Sequence, residues 1–370
     1  MDERILKNEE RAVFALRDIY RKFGYQPYKM GKFEEYDFYV RNKDFLLSDS
    51  IITFNDTNGK LMALKPDVTL SIIKNYSAEK GGVSRVYYNE NVYRVSDSTH
   101  SYKEIMQTGL ECFGDIGIQN YVEVLHLATD SLAYISDDFI LEVSHLGILS
   151  GLLKNASDDS DFIDAITTCI GEKNSHEIPR ICKEYGVSSE VSDKLQMFVS
   201  IYGERNKVLS ELRPLIEGEE MEAAYKELEI ISASIENSPF KDKIIFDFSI
   251  VGNMKFYNGV VFRGFIFGIP DVVLSGGQYD KLMKRNGKTG GAIGFAVYLD
   301  LLERMNTQVK DVDIDIVLLY DENEIPGRLI GTVMKLSADG SSVSLQKTVP
   351  ETLRYRKLMK MTEKGAEEIG

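Results

Sequence analysis

Cysteine is scarce in this chain: Cys112, Cys169 and Cys182 are odd in number and never form a Cys-x-x-Cys pair. Their scarcity excludes a disulfide framework and a thiolate zinc site. It fits a reducing interior, so a cytoplasmic location is expected. Histidine is also sparse. His100, His126, His145 and His176 show no His-Glu-x-x-His spacing, so neither a metal centre nor a cofactor is expected. Long apolar runs are missing, and the opening residues Met1 to Glu10 are too charged for a signal peptide, which argues against a membrane role. Positive charge is in deficit, with 44 basic against 58 acidic side chains and a net charge of −14. A polyanion would be repelled at long range unless a local basic face dominated. Lys347, Arg354, Arg356, Lys357 and Lys360 are the one candidate face. Such runs commonly line a solvated surface, so charge gives a nucleic-acid partner no support.

What is present is ordinary globular material: 370 residues, 43% hydrophobic and 28% charged, enough for one large domain and a smaller one. Val13, Leu16, Tyr20 and Phe23 recur near helical spacing, predicting a helix from Asn8 to Phe23 that ends at Gly24. Asn58-Gly59 predicts a hairpin turn within 51–70. Arg85 to Arg94 is rich in aromatic and β-branched residues and predicts a strand, with Ile105 to Gly114 as its antiparallel return. A helix over 119–136 and a strand over 139–143 follow. Residues of about 151–241 are helical in pattern and predict an insertion between two halves of a sheet domain. Strands are expected again at 244–248, 260–265 and 272–274, then a helix from Gly294 to Met305. As a bland reading, Gly276-Gly277 could be no more than a bend or bulge next to Tyr279. The remaining tail predicts a strand at 314–319, a helix near 327–336, a strand at 343–345, a break at Pro350 and a last helical piece.

Several segments carry a resemblance. Tyr93-Arg94, Ser101-Tyr102-Lys103-Glu104 and Gln107-Thr108-Gly109-Leu110-Glu111-Cys112-Phe113-Gly114 come first. Met254-Lys255-Phe256-Tyr257-Asn258-Gly259, Ser275-Gly276-Gly277-Gln278-Tyr279-Asp280 and Gly294 to Leu302 follow. Their order and wording resemble the histidyl-tRNA synthetase family of class II synthetases, and within it the regulatory paralogues that serve ATP phosphoribosyltransferase. The resemblance implies an α+β fold: a mostly antiparallel sheet flanked by helices over 1–305, with a helical insertion at about 151–241. A partial, anticodon-binding-like α/β tail over 306–370 completes it.

The resemblance also assigns residues. Asp67 and Thr69 match the stretch that holds an α-ammonium group, and Gln107 and Glu111 match contacts to the α-amino group and imidazole. Tyr257 and Tyr279 match tyrosines beside the imidazole. These types suit histidine, because carboxylates and phenols can meet its ammonium and ring N–H donors. The clamp for ATP is depleted by contrast. Arg94 and Lys103 remain as vestiges, while other arginine positions fall on Ser101, Gly252 and Leu301. Adenylate chemistry needs such cations on the developing phosphoryl charge. Lys255 departs from the pattern and is expected to receive the ligand carboxylate that Gly252 cannot.

Blander readings stand beside these. Asp67 could be a turn or cap residue, Arg94 a salt-bridge partner, and His145 a core or hinge residue; Gln107, Glu111 and Tyr257 could form a satisfied buried network. The resemblance implies a non-catalytic subunit, homodimeric within a hetero-oligomer, that joins a short-form catalytic ATP phosphoribosyltransferase and responds to L-histidine. The alternatives are a histidyl-tRNA synthetase with a shortened anticodon domain and a stand-alone histidine sensor.

Overall fold

The computed structural model describes residues 6–42, 51–76, 82–95, 99–251, 256–304 and 312–370, in two compact units, Met1–Met305 and Asn306–Gly370. The first helix, Asn8–Lys22, buries Ala12, Val13, Leu16 and Tyr20 along one stripe, with Glu9 and Glu10 in its first turn and Arg21 and Lys22 in its last. That charge order complements the helix dipole. Gly24, at φ 82°, takes the left-handed turn that ends it.

A nine-stranded sheet forms the body of the first unit. Its spatial order is Gln26–Pro27, Val83–Val95, Tyr102–Gly114, Gly291–Tyr298, Leu274–Gln278, Val260–Ile266, Phe139–His145, Ile244–Asp247 and Tyr202–Gly203. The central pairs are antiparallel, and parallel pairs occur where Gln26–Pro27 meets Val83–Val95 and where Phe139–His145 meets Ile244–Asp247. Leu110, Cys112, Ile293, Phe295, Val297 and Leu274 point to one face and join the core built with the helices Asn8–Lys22 and Ile118–Ile135. Tyr20 crosses that core, its hydroxyl 3.0 Å from Ser131 Oγ. The opposite face carries the cleft described below. A small sheet of Phe33–Glu35, Leu61–Leu64 and Thr53–Asn55 lies within this unit. Its hairpin turns at Asn58-Gly59, where Asp56 Oδ1 accepts the N–H groups of Asn58 and Lys60, each at 2.8 Å.

Residues from Gly294 onward do not start a helix: Gly291–Tyr298 is a central strand, followed by a short 3-10 turn over Leu299–Arg304. Alternate burial of Ile293, Phe295 and Val297 against the helices is the two-residue period of a strand. Gly276-Gly277 is no bend either, but the middle of the strand Leu274–Gln278. A Cβ on Gly277 would lie 2.8 Å from the Tyr257 ring, so glycine here serves close approach rather than chain reversal.

Six α-helices run from Leu146 to Ile235. His145 starts the first by accepting the Gly147 N–H on Nδ1 at 3.1 Å, while Asp159 and Ser188 cap later ones. In the second unit, strands order as Val343–Gln346, Ile314–Leu319, Tyr355–Thr362 and Gly365–Glu368, with the helix Pro326–Leu336 between the first two in sequence. The expected last helical piece is therefore a β-hairpin. Tyr355–Thr362 gains a parallel partner in Ile314–Leu319, and Glu363-Lys364 make the turn that leads into Gly365 at φ 124°. Pairing across the sheet outweighs the weak local preference of that segment.

Candidate functional site

Strand register decides which side chains meet on the open face of the main sheet. Glu111 lies opposite Gly294, and Gly294 opposite Gly277. The next row runs Tyr88, Gly109, Ala296, Ser275, and the one after it Glu90, Gln107, Tyr298. Small residues at the centre of these rows leave a hollow. A Cβ on Gly294 would fall 1.8 Å from Glu111 Oε2, so the Glu111 carboxylate occupies the space that a side chain there would fill.

The hollow is a cleft lined by Asp67, Thr69, Tyr88, Arg94, Gln107, Glu111, Phe256, Tyr257, Ser275, Tyr279 and Tyr298, among others. Asp67, Thr69, Gln107, Glu111, Tyr257, Tyr279 and Arg94, all named from sequence, therefore share one wall system. Lys103 does not line it; it pairs in register with Arg94 but is exposed near the end of the hairpin. Lys255 and Gly252 lie outside the described residues, as does the loop stretch 96–98.

Glu111 sits at the floor, 2% exposed. Thr69 Oγ1 donates to its Oε1 at 2.6 Å, and the Tyr279 hydroxyl donates to Oε2. Burial pushes the Glu111 carboxyl up to about 8, although both hydrogen bonds favour the charged form. Burial likewise raises Asp67, opposed by the Leu70 N–H and the Arg94 charge. The cleft thus holds two carboxyl groups short of positive charge, with Arg94 the one basic side chain among the described residues that line it. Burial and the neighbouring carboxylate hold the Tyr279 phenol well above its ordinary range. The neutral phenol therefore remains a donor.

Supporting contacts fix these groups. Asp67 Oδ1 accepts the Leu70 N–H at 2.8 Å, so the cap reading and the site reading of Asp67 both hold in geometry. Lys65, fully buried, bonds Glu90 Oε2 at 2.5 Å, and Arg94 Nε donates to the Pro66 carbonyl at 3.0 Å. These ties fasten the Asp67 loop to the Val83–Val95 strand. On the other side, Asn258 N–H donates to the Gln278 carbonyl at 2.9 Å and its side chain to Asp280 Oδ2 at 3.2 Å, which anchors the Phe256–Tyr257 wall. Tyr88, Ser275 and Tyr298 also line the cleft, although no site role was assigned to them from the sequence. Alternation from Gln107 and Glu111, carried across the register, would have found them. His145 stays apart from the cleft, its Nε2 bonded to Glu227 at 3.0 Å, as a strand-to-helix hinge residue.

The chain belongs to the histidyl-tRNA synthetase family, whose model matches residues 1–302. It is similar to the ATP phosphoribosyltransferase regulatory subunit of Oceanobacillus iheyensis, 25% identical over 317 residues that cover 84% of this chain and 78% of the relative. Its fold is similar to a Bacillus halodurans structure described as an ATP phosphoribosyltransferase regulatory subunit/histidyl-tRNA synthetase, with a TM-score of 0.78, 24% identity and coverage of 95% and 93% of the two chains. A chain of the ATP phosphoribosyl transferase (HisG:HisZ) complex from Thermotoga maritima aligns with a TM-score of 0.62 and 20% identity, covering 79% of this chain and 97% of that one. The class II synthetase-like α+β fold implied by the motifs is the fold of this chain.

Proposed function

We propose that this chain is a non-catalytic regulatory subunit of ATP phosphoribosyltransferase, acting in the first step of histidine biosynthesis, and that its cleft holds free L-histidine. The convergence of Asp67, Thr69, Gln107, Glu111, Tyr257 and Tyr279 on one hollow carries the ligand half of the proposal. Carboxylates and hydrogen-bonding phenols at that spacing suit an ammonium and an imidazole. The names of its relatives support the partner half.

The scarcity of cations supports the non-catalytic reading. Arg94 is the single basic lining group among the described residues, and the position expected to bring a second arginine is the largely buried Leu301. Removing one transition-state donor typically costs about 3 to 4 kcal/mol, so several losses together leave little catalysis. In the tail, Lys347, Arg354, Arg356, Lys357 and Lys360 face Glu322, Asp313, Asp315, Glu368 and Asp321 at 2.7, 2.8, 3.4, 3.6 and 3.8 Å. Paired in this way they favour a solvated face over a tRNA surface. A homodimer within a hetero-oligomer, a partial anticodon-binding-like tail and a cytoplasmic setting complete the proposal. Regulation requires only that histidine favour one of two arrangements of the assembly.

The test is reconstitution. Mixing the chain with a short-form catalytic ATP phosphoribosyltransferase should stimulate product formation and make it histidine-sensitive. No complex at micromolar concentration, or histidine-dependent ATP–pyrophosphate exchange by the chain alone, would overturn it.

A further inference from the structure

A second pocket lies on the helical side of the main sheet, away from the cleft. In the strand Phe139–His145, Glu142 pairs with Arg263, and Arg263 with Ser275 of the cleft, so Glu142 stands on the cleft side. Leu141 and Val143 alternate with it and point the other way, into this pocket. Leu125 and Thr129 of the helix Ile118–Ile135 meet them there. Ile235 and Ile244, where the helical insertion returns to the sheet, complete the interior. Each of these six residues is at most 7% exposed.

Size and polarity limit what the pocket can take. It encloses about 100 Å³. An apolar cavity of about 150 Å³ stays dry and takes benzene, so one small ring is the largest body that fits here. Thr129 Oγ1 gives its proton to the Leu125 carbonyl at 2.8 Å, and Ser234 Oγ gives its own to the Ile231 carbonyl at 2.7 Å. Both oxygens are left as acceptors toward a guest. Ser238 Oγ accepts the Phe240 N–H at 3.2 Å, which leaves its hydroxyl as a donor. His126 turns Nε2 to Asp130 at 3.4 Å. No carboxylate, ammonium or guanidinium lines the pocket among the described residues. A charged guest therefore finds no partner, whereas a hydroxyl that gives and takes one hydrogen bond does.

We propose that this pocket is a second ligand site, for a neutral molecule with one small ring and a single hydroxyl group. A guest there joins the helix Ile118–Ile135 to the returning end of the insertion. The sheet separates it from the cleft, so it binds whether or not the cleft is filled.

Phenol is the probe, titrated calorimetrically into the whole chain. Binding should saturate at one site with a Kd of about 1 mM or tighter. Anisole keeps the ring but loses the O–H donor and should bind at least about 5-fold more weakly. Naphthalen-1-ol keeps the hydroxyl on a body one ring too large and should also bind more weakly than phenol. Val143→Phe fills the floor and should abolish phenol binding. If that variant does not fold, Ser234→Phe plugs the pocket from an exposed position and reads the same loss. No saturable binding of phenol by wild type, or binding that survives filling in a folded variant, overturns the site. Equal binding of phenol and anisole overturns the hydroxyl assignment, and tighter binding of naphthalen-1-ol overturns the size limit. Competition between phenol and L-histidine overturns the proposal as well, because phenol would then occupy the cleft.

Discussion

Tyr279 and Glu111 share one hydrogen bond at the bottom of the cleft, the phenol hydroxyl donating to Oε2 while Thr69 donates to Oε1 at 2.6 Å. The carboxyl group is thus held on both oxygens by neutral donors, within walls that keep water away.

The pH dependence of stability follows from that burial. Glu111 is raised from an ordinary 4.5 to about 8, so between those values the folded chain holds a proton that the unfolded chain has lost. Its contribution to stability is complete below about pH 4.5 and falls as pH rises through about 8. Glu111→Gln should remove this decline. Thermal melts from pH 5 to 9 would show a flatter profile for the variant; parallel profiles would contradict the assignment.

Ligand binding should carry the opposite sign. An ammonium or imidazolium favours the charged carboxylate, so histidine binding should release a proton near neutral pH and tighten as pH rises toward 8. Titration calorimetry in buffers of differing ionisation enthalpy measures the released proton directly. An identical apparent enthalpy in every buffer would count against it.

Gly294 admits no side chain beside Glu111. A Cβ there would meet Oε2 at 1.8 Å and the Leu110 carbonyl at 2.5 Å. Gly294→Ala should destabilise the fold by about 1 to 3 kcal/mol through overpacking and weaken histidine binding. Urea unfolding together with calorimetry gives both quantities.

Lys65 and Glu90 form a pair in which the lysine side chain is wholly buried and the carboxylate 14% exposed. Lys65→Met strands that carboxylate and should cost about 3 kcal/mol. The double variant with Glu90→Gln should recover part of the loss. A double-mutant cycle in urea tests the coupling, and additive effects would mean that the pair does not act as a unit.

Much of this layout was legible in the chain. Spacing of Val13, Leu16 and Tyr20 marked the first helix, and Asn58-Gly59 marked a turn. The strand and its return around Arg94 and Gln107 were legible from composition, and the structure extends them to Val83–Val95 and Tyr102–Gly114. What escaped depended on neighbours far along the sequence. Gly291–Tyr298 looked helical because its strand partners, Tyr102–Gly114 and Leu274–Gln278, are remote or were placed too early in the chain. The last hairpin likewise needed Ile314–Leu319 beside it before its β character could be expressed. Motif wording pointed to Asp67, Glu111 and Tyr279. The small-residue floor and Tyr298 emerge only when strands are set in register.

One carboxylate has two employers. Asp67 Oδ1 holds the Leu70 amide at the start of the helix Thr69–Asn75, and the same side chain borders the cleft. A guest whose ammonium draws on Asp67 therefore tugs at a helix start, so the first turn of that helix should feel occupancy before more distant segments do. Hydrogen exchange at the Leu70 amide would then report whether the hollow is filled.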